Sequence, residues 1–252
     1  MFGPLNIKVL LGQLLDYGII LLILILMGVL VLMIDKSRSR PIKFVIGVIL
    51  FAYLSYFISS GAIGIDLFDA GATSLVQVSN SGFFVAFYKV VSWIASPMKD
   101  VLWLVILAFL MYGFKYKIQA AWSLGYMAGA MVLGAIAKHL IARVRPINHL
   151  AADTGYSFPS GHVLGTFVLV SVVIILVVPE LPSFRTAQIV KWGSIVWLLL
   201  VIFSRVYLSA HYPTDTIGAV LLAWTWGQVM EWFYVLWARH LLQWKLFYRS
   251  YL

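Results

Sequence analysis

The feature that most constrains this chain is a succession of long apolar runs, at residues 18–34, 44–62, 98–114, 119–140, 163–179, 190–208 and 214–237. A helix of roughly 20 residues crosses the hydrocarbon core of a bilayer with its backbone hydrogen bonds closed internally. A water-soluble fold has no place for seven such runs in 252 residues, and the mean hydropathy of +0.98 says the same. The expected fold is all-α: a polytopic membrane helix bundle forming a single membrane domain over residues 1–252. The first run has no small-residue cleavage site behind it, and its basic residues follow it instead of preceding it. It therefore reads as a permanent helix and not as a cleaved signal peptide.

The connections divide the chain further. Residues 1–62 carry the N-terminal helices, and residues 63–97 form an outer loop whose stretch Phe83 to Ile94 reads as an amphipathic helix lying along the interface. Residues 98–237 form a helical core, and residues 238–252 a tail. Positive loops are retained in the cytoplasm. One face collects Lys36, Arg38, Arg40, Lys43, Lys115, Lys117, Arg185, Lys191, Arg239, Lys245 and Arg249, against seven basic residues on the other. That predicts a multi-pass protein of the cell membrane with a cytoplasmic C-terminus and with the loops at 141–160 and 209–213 outside. Small residues Gly125, Ala128, Gly129 and Gly134 predict a closely packed fourth span. Trp232, Tyr234, Trp237, Trp244 and Tyr248 read as interfacial anchors. The net charge of +9 fits anionic headgroups and no nucleic acid, since no basic patch with interleaved aromatics occurs. With no cysteine, thiolate nucleophiles, thiolate metal sites and disulfides are all excluded.

Three polar segments interrupt this apolar chain, and polar groups at the ends of spans mark a site. In Lys138-His-Leu-Ile-Ala-Arg-Val-Arg145-Pro146 a helix continued to the proline puts Lys138 and Arg145 on one face, two turns apart, with Arg143 on another face and outside the site. In Phe158-Pro159-Ser160-Gly161-His162 a hydroxyl, a bare glycine backbone and an imidazole precede an apolar run, with Pro159 suited to the first helical turn. A helix N-terminus of this kind binds anions. In Ser204-Arg205 through His211 to Asp215, a helix beginning at Pro213 lets Asp215 reach one imidazole nitrogen and leave the other free to attack. Taken singly, these segments also fit snorkelling cations, an interfacial histidine and a helix-capping aspartate. Together, on one face, they hold the cations, nucleophile, acid and orienting carboxylate that phosphoryl transfer requires.

In order and spacing, Lys138 to Pro146, Pro159 to His162, and Ser204 to Asp215 resemble the three signature motifs of the type 2 phosphatidic acid phosphatase family. The likeness covers roughly residues 66–235. Val144 stands where the family often has proline, Ser209 where glycine is common, and the N-terminal span is an addition to the family's six-helix phosphatase core. The resemblance implies that His211 is a nucleophile forming a phosphohistidine, with Asp215 as its orienting partner and His162 as the acid for the leaving alkoxide. It further implies phosphate binding by Lys138, Arg145, Ser160, the Gly161 amide and Arg205.

No metal and no other cofactor is expected, because the nine acids are scattered along the chain. The implied activity is hydrolysis of a lipid-linked phosphate or diphosphate at the extracytoplasmic face, on undecaprenyl diphosphate, phosphatidylglycerol phosphate or phosphatidate. The alternative is a transporter or lipid-binding protein that holds a phosphate headgroup without hydrolysis. His139, His149 and His240 are expected at the interface.

Overall fold

The computed structural model describes residues 40–77, 81–147, 150–151, 153–244, 247 and 250–251. The expected first span, 18–34, lies outside them. Eight helical segments follow in order: α1 (Arg40–Ser59), α2 (Ile63–Val76), α3 (Gly82–Ile94), α4 (Pro97–Gly113), α5 (Lys117–Ile141), α6 (Gly161–Val172), α7 (Phe184–Tyr207) and α8 (Pro213–Leu241). Among the described residues there is no strand. Every apolar run expected between residues 44 and 237 coincides with one helix.

Helices α1, α5, α6 with its continuation to Glu180, and α7 are each long and apolar enough to cross a membrane. Helix α4 is shorter, and it joins α3 across a 49° bend at Ala95–Ser96. The outer segment 63–97 differs from expectation, since it holds two helices, α2 as well as α3. Both pack on α7, and α2 also touches α8, at the end of the bundle where the polar segments lie.

Helix α6 winds through a π turn at Val173–Val177 into a 3₁₀ turn at Val178–Glu180. Pro179 lacks the N–H that a continuing α-helix requires. Helix α8 runs to Leu241, past the expected start of the tail. The tail then folds back: Ser250 Oγ accepts from the Lys117 and Ile118 amides at the start of α5. Phe247 is buried against Ile118 and Ala238.

The core lies between α5, α6 and α8, around Tyr126, Met127, Ala130, Leu164, Val168 and Ala223. Its close approaches depend on glycine. A Cβ at Gly134 would stand 2.5 Å from Leu164 Cδ2, and one at Gly129 would overlap the Trp226 indole. That indole donates to the Tyr126 carbonyl at 3.0 Å, and the Tyr126 hydroxyl donates to the Ala223 carbonyl at 2.9 Å. These bonds set the register of α5 on α8 by satisfying polar groups that apolar surroundings would otherwise penalise.

Candidate active site

The polar segments meet at one rim of the bundle, at the C-terminal ends of α5 and α7 and the N-terminal ends of α6 and α8. Helix α5 does not reach Pro146. It ends at Ile141, where Ala142 turns the chain with φ 50°. Lys138 and Arg145 are therefore not on a shared helix face; the fold brings them together by another route. Lys138 Nζ donates to the Tyr156 carbonyl at 2.9 Å and holds the 154–157 loop. Arg145 crosses that loop, donating to the Gly155 carbonyl at 2.9 Å and the Ala210 carbonyl at 2.7 Å. Its Nη1 also stands 3.2 Å from His211 Nε2.

His211 is buried, and its ring is bracketed. Nδ1 faces Asp215 Oδ2 at 3.4 Å, while Nε2 faces Arg145. Burial, and then the charges of Arg205, Arg145 and Lys138, hold its pKa well below the usual histidine value, so the imidazole is neutral. Nδ1 lies near the Asp215 carboxylate without a hydrogen bond to it; a neutral ring protonated at Nδ1 carries its lone pair on Nε2, the nucleophilic form. Asp215 is both partner and cap, since its Oδ2 also accepts from the Tyr212 amide at 2.9 Å within a capping box that starts α8.

Pro159 precedes α6 instead of sitting in its first turn; Ser160 is the N-cap, and its amide donates to the Asp215 carbonyl at 3.1 Å. Ser160 is wholly buried, yet its hydroxyl has no partner among the described residues. The same holds for Arg205 Nε. Buried donors are almost always paired, so two orphans beside a helix N-terminus describe a place for an anion. At Gly161 a Cβ would meet Pro97 Cγ at an ordinary 3.4 Å, so packing does not explain the glycine there.

Two carboxylates and one cation were missed by the sequence argument. Asp153 accepts from Arg205 Nη2 and lies 3.9 Å from Arg145 Nη1. Burial would raise its pKa, but Arg205, His162 and Arg145 together hold it below the usual carboxylate value. Arg205 is fully buried and also donates to Ser92 of α3. Arg143, excluded from the site on the assumption of a continuing helix, donates to Asp215 Oδ1 at 2.8 Å and to Asp69 Oδ2 at 2.7 Å. Past the cap at Ala142 the 100° helical rotation no longer applies, and Arg143 and Arg145 both reach residues 210–215. The signal was available in the buried cost of Asp69 and in a third arginine within three residues of Arg145, but neither fixes a partner.

The acids are therefore less scattered than the sequence implied. One carboxylate oxygen of Asp153 and one ring nitrogen each of His162 and His211 lie within 4.8 Å of one another. Such a trio has the donors of a metal site, but Asp153 is already paired to Arg205 and near Arg145. Those cations oppose a divalent ion and favour an oxyanion.

Ser209, where the family-like motif prefers glycine, adopts φ 50°. It is held by Gln77, whose Nε2 donates to Ser209 Oγ at 2.7 Å and to the Tyr207 carbonyl at 3.0 Å.

A helical bundle with several membrane-length helices and a cluster of buried cations and histidines at one rim defines the class. Residues 119–239, just under half of the chain, match the PAP2 superfamily. It is 41% identical over 80 residues to the phosphatidylglycerophosphatase B of Haemophilus influenzae, covering 31% of this chain and 32% of that protein. It is 34% identical over 103 residues to the undecaprenyl-diphosphatase of Sulfolobus acidocaldarius, covering 37% and 44%. The chain thus matches less than half the length of these relatives. The crystal structure of a transmembrane PAP2-type phosphatidylglycerolphosphate phosphatase from Bacillus subtilis has the same fold, with a TM-score of 0.68 at 22% identity over 76% of this chain and 95% of that one.

Proposed function

We propose that the chain hydrolyses a lipid-linked phosphate or diphosphate through a phosphohistidine on His211. The observation that carries this is the bracketed imidazole: Asp215 3.4 Å from Nδ1 and Arg145 3.2 Å from Nε2. A phosphoryl group held by Arg145, Arg205, the Ser160 hydroxyl and the first amides of α6 would present its phosphorus to Nε2. Lys138 adds charge and anchors the loop. The Nε2 lone pair forms the N–P bond as the P–O bond to the lipid breaks, and His162 supplies the proton to the departing alkoxide. His162 then takes a proton from water as its oxygen attacks phosphorus, the N–P bond breaks and His211 regains its lone pair. Asp215 balances the transient positive charge on the ring. The reaction needs no metal.

The substrate class follows from the setting and from the relatives. The cluster lies at helix ends, within reach of a headgroup whose tail stays in the bilayer, and the named activities of similar proteins concern phosphatidylglycerol phosphate and undecaprenyl diphosphate. The excess of basic residues on the opposite loops supports an extracytoplasmic pocket and a cytoplasmic C-terminus. A rim position, as opposed to mid-membrane broken helices, favours hydrolysis over transport.

The test is phosphate release from a panel of lipid phosphates and diphosphates in detergent. Wild type is expected to turn over one of them, to be blocked by vanadate and to survive EDTA. His211→Ala is expected to be inactive while still inserting in the membrane. Retained activity in that purified variant would overturn the assignment.

A further inference from the structure

Arg143 and Asp69 have no place in the mechanism just described, yet they form a densely bonded buried polar cluster. Arg143 Nη1 donates to Asp215 Oδ1 at 2.8 Å and to Thr214 Oγ1 at 2.7 Å, and Nη2 donates to Asp69 Oδ2 at 2.7 Å. Asp69 in turn accepts from the Thr214 amide at 2.9 Å and the Thr214 hydroxyl at 2.7 Å. Burial pushes the Asp69 pKa up, and its donor-only partners Thr214 and Arg143 oppose that by favouring the carboxylate. The guanidinium lies 4.0 Å over the Tyr212 ring, which fixes its plane. Asp69 and Asp215 are 2% and 0% exposed. None of these contacts faces the pocket between His211 Nε2 and Arg145.

A single arginine on Asp215 would neutralise it and weaken its attraction for His211 Nδ1, 3.4 Å away. Here the one cation is shared by two carboxylates, so the buried cluster keeps a net charge of −1 next to the imidazole. We infer that Asp69 and Arg143 are positioning residues for the phosphatase reaction: Arg143 fixes Asp215 through Oδ1, and Asp69 takes up part of the Arg143 charge so that Asp215 Oδ2 remains an effective anion for His211. This couples the rim helix α2 to the nucleophile. It rests on the phosphohistidine reading proposed above.

The charge account makes an unusual demand on a double variant. Asp69→Asn leaves Arg143 and Asp215 to cancel, and kcat is expected to fall about 10- to 100-fold, the range seen when an outer partner of a metal-bound histidine is removed. KM and the inhibition constant of inorganic phosphate, a ground-state ligand, are expected to stay at wild-type values, because Asp69 does not touch the anion pocket. Asp69→Asn combined with Arg143→Gln restores the net −1 and keeps complementary amide contacts. Its kcat is expected to exceed that of Asp69→Asn alone, an interaction opposite in sign to additive damage.

A double variant no better than the single, or phosphate affinity falling in step with kcat, would reduce the cluster to a structural support. Should Asp69→Asn fail to fold, Asp69→Ser removes the same charge with a smaller side chain. Loss of kcat with KM retained is then expected, and wild-type kcat would overturn the inference. Turnover by wild type and its loss in His211→Ala, measured in the same assay, test the parent reading separately.

Discussion

Replacing Ser160 by alanine should move stability and ligand binding in opposite directions. The side chain is fully buried and its hydroxyl has no partner among the described residues. A buried hydroxyl left unpaired costs the folded state about 1–3 kcal/mol, and alanine removes that cost while losing one oxygen atom's packing. The free variant should therefore be more stable than wild type by a part of that amount. In the ligand complex the same hydroxyl would donate to an anionic oxygen. A hydrogen bond to a charged group contributes about 1.5–3 kcal/mol, or roughly 10- to 100-fold in affinity. The assay is thermal unfolding in detergent with and without vanadate, together with the vanadate inhibition constant. A higher melting temperature without vanadate, a smaller vanadate-induced rise and a weaker inhibition constant are expected together. A variant less stable than wild type in the absence of ligand, with unchanged inhibition, would refute the view that this hydroxyl is held in reserve for an anion.

Two further outcomes are expected. Because His211 is neutral when folded and its pKa lies below that of the unfolded chain, its contribution to stability is fully present above about pH 6.5 and is lost as pH falls from there towards the folded value. Denaturant unfolding of wild type should therefore weaken below pH 6.5 more steeply than that of His211→Asn, by up to about 1.4 kcal/mol per pH unit for the one proton; equal slopes would count against a buried neutral ring. Gly218→Ala places a Cβ in the Phe158 ring, which packs beneath the Pro159–His162 turn; overpacking of about 1–3 kcal/mol should lower stability, and displacement of the turn should lower kcat. Unchanged activity in this variant would show that Phe158 does not support the site.

How much was legible in the sequence can be judged residue by residue. His162, His211 and Asp215 could be placed because each sits next to a helix start that a proline or glycine announces within a few residues. Arg205 could be placed because a fully apolar span closes on it. Lys138 and Arg145 were grouped on a shared helix face that the structure does not form, as the helix stops at Ile141 and not at Pro146; both instead reach the 154–157 loop. Arg143 was misjudged by the same step. The left-handed turn at Ala142 is invisible to a periodicity argument, because alanine carries no preference for that conformation.

The sequence by itself determined that this chain is a membrane-spanning helical bundle, since apolar length leaves no other way to satisfy the backbone in lipid, and that three polar segments share one end of it. Only the tertiary structure decided the partners. Asp69 is 74 residues from Arg143, and Asp153 is 52 residues from Arg205. Ion pairs between such distant residues depend on how helices pack and loops return, and local pattern carries no information about that.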